Sequence, residues 1–246
     1  MTGTVENAGP FPGRAGTRER QPKLHDRMDQ ERVADLRDFI RRNLPVMPVP
    51  GVPEIRLHKA SSSSGLGRLA EQDEHGFGSP YWAYYWAGGL ALARYVLDNP
   101  DLIIGRRVLD LGAGSGLVAI AAAKAGAREV VAAEVDRYAI AALGLNTELN
   151  GVTVTHLQGD LTDRAPPAVD VILVGDLFYA PDLSERVTSF LNRCLSCGIC
   201  ALVGDPWRAY LPTSRLDELA RYDVAETGSP ATKPSGVFAF LVEPAR

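Results

Sequence analysis

Two short segments carry the residues that could do chemistry. The first, Val108 to Gly116 (VLDLGAGSG), is an apolar stretch that runs into a glycine-rich turn. Glycines let the backbone pass close to a ligand and adopt dihedral angles closed to other residues, and a helix that follows offers free N–H groups. The second, Val174 to Tyr179 (VGDLFY), ends an apolar stretch with an acid and an aromatic residue. We therefore expect a cofactor turn with a reacting group beside it.

The glycine turn fits two cofactor patterns. Gly114 to Ala119 (GSGLVA) matches the dinucleotide fingerprint G-x-G-x-x-G/A with alanine in the last place. Asp110 to Gly116 matches the D-x-G-x-G-x-G turn of methyltransferases that use S-adenosylmethionine. Asp110 favours the second pattern, because its carboxylate can reach the turn amides and, through water, the ammonium of a methionine moiety. The cofactor residues expected from this turn are Asp110, Gly112, Ala113, Gly114 and Gly116.

Two further acids follow predicted strands at places that suit a nucleoside. Glu134 ends the second strand about 20 residues after the glycines, where an acid can accept both ribose hydroxyls in either cofactor pattern. Asp160, just past the third strand, is placed to accept a hydrogen bond from an adenine amino group, with Leu161 against the ring. A surface turn explains Asp160 equally well, since Gly-Asp pairs are common in turns.

Asp176 and Tyr179 favour the methyltransferase interpretation most strongly. They follow the fourth predicted strand, and in open α/β sheets ligands bind outside the carboxyl ends of the strands. Gly175, directly before the acid, is expected to line the cofactor site. The alternative is structural, with Asp176 as a helix cap and the aromatic residue packed in the core.

The elements that must position these residues alternate along the chain. Continuous apolar runs predict strands at 107–111, 129–134, 153–157, 169–174, 199–203, near 224 and at 237–242. Helical patterns occur at 81–97, 117–125, 138–149, 183–194 and 215–221. Apolar strands that alternate with helices predict a parallel sheet covered on both faces.

The first 80 residues divide into segments of different composition. Residues 1–27 are rich in Gly, Pro and Arg, which predicts a disordered tail. In residues 28–80 we expect one helix that ends near 43–45, a proline-rich connector at 45–53, and loops at 61–67 and 71–80 that could cover a site. Residues 81–246 form the predicted catalytic domain.

The composition excludes several classes of protein. The 246 residues are 46% hydrophobic with a formal net charge of −4, so the chain can bury a core but lacks the basic surplus that general nucleic-acid binding requires. No apolar run approaches the ~20 residues of a membrane span. Cys194, Cys197 and Cys200 are expected to be buried structural residues, no metal site is predicted, and the four histidines receive no role. We expect a cytoplasmic monomer.

The motifs resemble a known family. The chain is similar to class I, seven-stranded S-adenosylmethionine-dependent methyltransferases, and within them to protein lysine methyltransferases with a D-x-x-Y/F motif after the fourth strand, here Asp176 to Tyr179. Pro80 to Gly89 (PYWAYYWAGG) and Gly204 to Pro212 (GDPWRAYLP) look most like the lysine methyltransferases of the electron transfer flavoprotein β subunit. Ribosomal protein L11 methyltransferases are a neighbouring resemblance. The match begins near residue 80 and continues to the C-terminus.

The resemblance implies both a fold and an activity. The fold would be a Rossmann-like α/β sheet of seven strands, mostly parallel with an antiparallel last strand, and helices on both faces. S-adenosylmethionine would be the cofactor, Trp86 would contact it, and a protein would present a lysine as substrate. Asp176 would orient the amine and stabilise the charged product, while Tyr179 would hold the cation by a cation–π contact. A small-molecule amine methyltransferase, an NAD-dependent oxidoreductase and a silent binding module are the alternatives.

Overall fold

A computed structural model describes residues 24–73, 77–225 and 231–242. Residues 1–23 of the predicted tail and His75 lie outside these ranges. Residues 24–27 were also predicted as disordered tail, but they belong to the first helix. The helices are α1 (Leu24–Asn43), α2 (Gly67–Gln72), α3 (Ala87–Asp98), α4 (Leu117–Lys124), α5 (Arg137–Leu149) and α6 (Pro181–Ser196). The strands are β1 (Val46–Val49), β2 (Val52–His58), β3 (Arg107–Leu111), β4 (Glu129–Glu134), β5 (Thr155–Gln158), β6 (Val171–Gly175), β7 (Cys200–Asp205), β8 (Leu216–Ala225) and β9 (Thr232–Phe240).

Seven of these strands form one sheet in the order β5-β4-β3-β6-β7-β9-β8. The first five in this order pair in parallel, and β9 runs antiparallel to both of its neighbours. The prediction of a mostly parallel, seven-stranded sheet with an antiparallel last strand is therefore confirmed. The strand order reverses between β3 and β6, and the carboxyl ends on either side of such a reversal leave a crevice for a ligand.

Apolar side chains cover the sheet on both faces. Helices α3 and α4 pack with β2 on one face, and α6 packs on the other through Val187, Phe190 and Leu191. A third cluster joins α1 to α5 through Ile40, Leu44 and their neighbours. The strands β3 and β6 are buried on both faces, which fixes the ends that carry Asp110 and Asp176. Within the described ranges, no helix has the length and apolar character that a membrane span requires.

The region predicted as one helix from 81 to 97 is only partly helical. Tyr81–Ala83 forms a single 3-10 turn, Tyr84 and Trp86 are extended, and α3 begins at Ala87. The Trp86 indole N–H donates to the carbonyl of Tyr81 at 2.9 Å, which holds the aromatic segment in a compact non-helical loop. The apolar periodicity here reflects aromatic residues packed on several sides and not a continuous helix.

The helix predicted at 215–221 is wrong. Residues 216–221 belong to β8, which pairs antiparallel with β9 with one irregularity between Glu218 and Ala220, and Arg215 ends a 3-10 turn. The sequence LDELAR has good helical propensity, but the open edge of β9 supplies backbone partners and tertiary pairing overrides the local preference. The interpretation of residues 45–53 as a simple connector is also wrong, since β1 and β2 form a hairpin around Pro50 and Gly51. A Pro-Gly pair with Gly51 at φ +75° is typical of such a turn.

The cysteine prediction is correct for one residue of three. Cys194 is buried against the sheet, whereas Cys197 and Cys200 are exposed because they lie at the end of α6 and the start of β7. Among the described residues, no group of His, Cys, Asp and Glu has the arrangement of a metal site.

Two glycines allow α3 to approach the end of β7. A Cβ atom at Gly204 would lie 2.2 Å from the carbonyl oxygen of Gly88, and one at Gly88 would lie 2.1 Å from the carbonyl oxygen of Gly204. The two backbones are therefore in direct contact, and no side chain would fit between them. This contact places the N-terminus of α3 next to Asp176, the residue that follows β6.

We expect Gly204→Ala to lower the free energy of unfolding by about 1–3 kcal/mol, because the added methyl group would push α3 away from the sheet. Gly67→Ala is the matched control, since a Cβ atom there meets nothing within 4 Å and we expect little change. Urea denaturation followed by circular dichroism measures both. Equal stability of the two variants would contradict the close packing of α3 on β7.

Candidate active site

A cavity of about 800 Å³ opens at the carboxyl ends of β3, β4 and β6. Its size is within the range of sites for small ligands and cofactors. It brings together all but one of the residues that the sequence predicted for the site: Trp86, Asp110, Gly112, Ala113, Gly114, Glu134, Asp160, Leu161, Gly175, Asp176 and Tyr179. Gly116 is the exception: a Cβ atom there would lie 2.3 Å from the Leu143 side chain, so this glycine permits α5 to pack against the turn.

The glycine turn has the left-handed backbone that its sequence predicts. Gly112, Gly114 and Gly116 have φ angles of 72°, 51° and 86°. A Cβ atom at Gly114 would meet nothing within 4 Å, because this glycine faces the open cavity. The turn thus leaves room for a ligand to lie directly against the backbone.

Glu134 is the hydrogen-bond anchor of the cavity. Its Oε1 accepts from the Tyr81 hydroxyl at 2.7 Å and from the backbone N–H groups of Val135 and Asp136. Its Oε2 accepts from the N–H of Gly114 at 2.9 Å, which leaves that oxygen a lone pair for a further donor such as a ribose hydroxyl. The predicted role of Glu134 therefore fits its geometry.

Tyr81 is a cavity residue that the sequence did not single out for this role. Its hydroxyl reaches Glu134 from the aromatic loop before α3. Burial, reinforced by the charge of Glu134, raises the pKa of Tyr81, so the hydroxyl stays protonated and donates. The only signal in the sequence was the density of aromatic residues at 81–86.

The contact predicted for Asp110 differs from the one observed. Its Oδ2 accepts the N–H of Ala119 in the first turn of α4 at 2.9 Å, whereas the prediction was a bond to the glycine turn amides. A carboxylate at a helix N-terminus is stabilised by the free N–H groups and the helix dipole. Burial nevertheless raises the pKa of Asp110 to about 7. Asp110 thus holds the N-terminus of α4, the helix that follows the turn, by a hydrogen bond.

The carboxylate of Asp160 already has partners. Its Oδ1 accepts from the backbone N–H and the hydroxyl of Thr162, and its Oδ2 accepts from the Arg186 guanidinium at 2.5 Å. Partial burial opposes ionisation, but these hydrogen bonds hold the pKa of Asp160 below its usual value. Asp160 is therefore a fixed, charged acceptor at the cavity wall, and Leu161 lies beside it.

Asp176 is the acid at the centre of the opposite wall. It has a φ angle of 59°, in the left-handed region that Asp tolerates better than most residues. Its Oδ2 accepts the N–H of Gly89 in the first turn of α3 at 2.7 Å, so Asp176 does cap a helix, as the structural alternative proposed. The helix is α3 rather than the one that follows, and 9% of Asp176 remains exposed at the cavity.

Arg208 also lines the cavity, Asp205 is a buried acid beside it, and sequence reasoning missed both residues. The Arg208 guanidinium donates to Oδ1 of Asp176 at 2.7 Å, and its Nε lies 3.8 Å from Oδ2 of Asp205. Asp205 is fully buried, and burial raises its pKa to about 6. The segment GDPWRAYLP contained the signal, since it places an acid and a base directly after a predicted strand.

Aromatic side chains surround the mouth of the cavity. Tyr179 is 61% exposed and Trp86 is 45% exposed, and both line the opening. The guanidinium carbon of Arg208 lies 5.8 Å from the ring centroid of Trp86. The mouth is thus an accessible aromatic surface beside a buried carboxylate.

Comparisons with known proteins found similar sequences and a similar solved structure. The family described as "Ribosomal protein L11 methyltransferase (PrmA)" matches residues 93–179. A protein of Xenopus laevis named "Electron transfer flavoprotein beta subunit lysine methyltransferase" is 39% identical over 197 residues, which are 78% of this chain and 80% of the relative. Its namesake in Danio rerio is 45% identical over 71% of this chain and 69% of the relative. A solved structure of a putative RNA methyltransferase from Pyrococcus horikoshii aligns with 73% of this chain and 98% of its own at 19% identity and a TM-score of 0.48.

The seven-stranded sheet, the glycine turn and the acid after β6 define a class I methyltransferase, and S-adenosylmethionine is the cofactor of this class. More closely, the chain belongs to the family of the electron transfer flavoprotein β-subunit lysine methyltransferases. The dinucleotide interpretation of the glycine turn is therefore set aside. The residues present fit the cofactor, since Gly114 leaves backbone space and Glu134 has an acceptor free.

We expect Glu134→Gln to weaken binding of S-adenosylhomocysteine at least tenfold, equivalent to about 1.4 kcal/mol. The change removes the charge and one of the acceptor oxygens to which a ribose would bind. Isothermal titration calorimetry measures the dissociation constant. Glu129→Gln is the control, because Glu129 is exposed at the opposite end of the same strand. The affinity of this variant for S-adenosylhomocysteine should equal that of the unmodified protein. Unchanged affinity of Glu134→Gln would remove Glu134 from the cofactor site.

Proposed function

We propose that this protein transfers a methyl group from S-adenosylmethionine to the side-chain amine of a lysine in another protein. The β subunit of electron transfer flavoprotein is the first candidate acceptor, since the relatives that share most of this chain are named for it. The observation that carries the proposal is Asp176, a carboxylate fixed at the edge of the cofactor cavity beside an open aromatic mouth.

The cofactor supplies an activated methyl group on a sulfonium, which passes to the amine lone pair as the carbon–sulfur bond breaks. The acceptor must be neutral for this, because a lysine with an ordinary pKa of ~10.4 is protonated and has no lone pair. The protein has mainly to orient the amine and exclude water. Asp176 can do the first, since a carboxylate has about four lone-pair directions and the two hydrogen bonds from Gly89 and Arg208 leave others free.

The aromatic mouth fits a protein acceptor better than a small molecule. Tyr179 and Trp86 are exposed and border the opening, so a lysine on a protein surface can enter while its backbone stays outside. A ring face attracts a cation at about 6 Å, so these residues can hold the ammonium before deprotonation and the methylated product after transfer. The cytoplasmic location and the monomeric state stay predictions from the sequence.

Incubation of the purified protein with tritiated S-adenosylmethionine and recombinant electron transfer flavoprotein tests the acceptor. We expect label on the β subunit, and mass spectrometry should place 14-dalton increments, the mass of one added methylene, on lysine. The same subunit with its lysines acetylated beforehand is the control and should take up far less label, because an amide nitrogen has no nucleophilic lone pair. An unlabelled β subunit would rule out this acceptor, and label on a residue other than lysine would overturn the proposed reaction.

We expect Asp176→Asn to lower kcat for methyl transfer about 100-fold, a loss typical of removing one electrostatic stabiliser of a reaction. Asn tolerates the left-handed backbone at this position and keeps the side-chain shape, so the variant should fold. Its affinity for S-adenosylhomocysteine should change less than threefold. Steady-state kinetics and calorimetry separate the two effects.

Asp101→Asn is the control for this change, since Asp101 is an exposed acid in the turn that follows α3. Its kcat should match that of the unmodified protein. If Asp176→Asn turned over as fast as the control, Asp176 would have only a capping role.

A further inference from the structure

Among the described residues that line the cavity, Arg208 is the one whose guanidinium pairs with two buried acids, Asp176 and Asp205. Its Nη2 donates to Oδ1 of Asp176 at 2.7 Å, and its Nε lies 3.8 Å from Oδ2 of Asp205. The backbone N–H of Arg208 also donates to Oδ1 of Asp205 at 2.7 Å. Asp205 therefore positions the backbone that carries Arg208, and Arg208 in turn contacts Asp176.

The turn before Arg208 is held in an unusual conformation. Trp207 has a φ angle of 57°, which is rare for a bulky side chain and costs about 1–3 kcal/mol. Its ring packs edge-on against Phe238 at 5.6 Å and under the Arg221 guanidinium at 4.4 Å. These contacts stabilise the strained backbone of Trp207. This backbone conformation directs Arg208 into the cavity wall.

Two acids and two cations lie in and behind this wall, at unequal distances from one another. Asp176 and Asp205 share one guanidinium, and Lys233 on β9 adds a more remote positive charge on the Asp205 side. The N–H groups at the start of α3 also face Asp176, and Tyr179 follows Asp176 in the same loop. Burial raises the pKa of Asp176, and Arg208 is the strongest influence that opposes this rise.

We infer that Arg208 is a positioning residue that keeps Asp176 ionised and directed at the acceptor amine. The charge of Arg208 therefore determines the lowest pH at which methyl transfer still proceeds. This inference rests on the proposed function, because it concerns the same carboxylate. Arg208 acts through Asp176 and forms no bond to the methyl group.

The test compares Arg208→Met and Arg208→Lys with the unmodified protein from pH 6 to pH 9.5. Without the guanidinium, the pKa of Asp176 rises further and the carboxyl is protonated at a higher pH. The rate ratio of Arg208→Met to the unmodified protein should therefore rise at least tenfold between the two ends of this range. Deprotonation of the acceptor lysine accelerates both proteins equally and cancels in the ratio.

Arg208→Lys keeps a positive charge, so its ratio should change less than threefold over the same range. In the Asp176→Asn background, Arg208→Met should give a flat ratio, because the carboxyl that orients the amine is gone. A ratio that still rose with pH would assign the effect to Asp205, which remains beside residue 208, and would overturn the inference. Arg106→Met, a change at an exposed residue before β3, is the control for loss of a positive charge. A ratio for Arg208→Met that stays constant with pH would assign Arg208 a structural role only and overturn the inference.

A second measurement needs no acceptor and separates this inference from the proposed function. Arg208→Met leaves a buried carboxylate unpaired and should lower the melting temperature at pH 7.5, and addition of Asp176→Asn should raise it again. Additive losses in the double variant would overturn the coupling. If the unmodified protein labelled no lysine while the melting temperatures showed the coupling, the proposed function would fail and the pairing of Arg208 with Asp176 would stand.

Discussion

Two carboxylates at the ends of neighbouring parallel strands hold the start of a helix each, and the rest of the site depends on this arrangement. Asp110 near the end of β3 accepts the N–H of Ala119 in α4, and Asp176 directly after β6 accepts the N–H of Gly89 in α3. The first N–H groups of a helix have no partner within it, so a fixed carboxylate there satisfies a donor and interacts favourably with the helix dipole. The strand ends and both helices thus form one hydrogen-bonded frame beside the cavity.

This frame explains why Asp176 can be a structural and a functional residue together. Its bond to Gly89 requires the close contact of Gly88 with Gly204, which brings α3 within reach of the strand ends. The same contact positions β7, and therefore the turn that carries Asp205 and Arg208. A carboxylate that is buried and fixed in this way does not reorganise when a positive charge develops beside it, and such preorganisation is the main source of electrostatic catalysis.

The sequence predicted most of the fold and the residues that line the cavity around the glycine turn, because those features are local. The glycine turn, Glu134 and Asp160 each follow a strand at a fixed spacing, and apolar runs locate the strands themselves. The features that the sequence did not predict depend on contacts between residues far apart in the chain. Strand β8 has helical propensity and becomes a strand only by pairing with β9, and the partners of Asp176 come from residues 87 and 32 positions away. No spacing rule connects such residues.

Arg208 shows why a charge to which the sequence analysis assigned no role matters in the fold. The net charge of −4 describes the whole chain, whereas at the strand ends two buried acids share one guanidinium, with Lys233 more remote. Buried charges are screened far less than surface charges, so these groups act on the cavity more strongly than the net charge does. Of the two acids, Asp176 lines the cavity and Asp205 does not, so the charge of Asp176 is the one that an entering group meets. The sequence alone could not show this arrangement, because Asp205 and Asp176 become neighbours only when β6 and β7 pair.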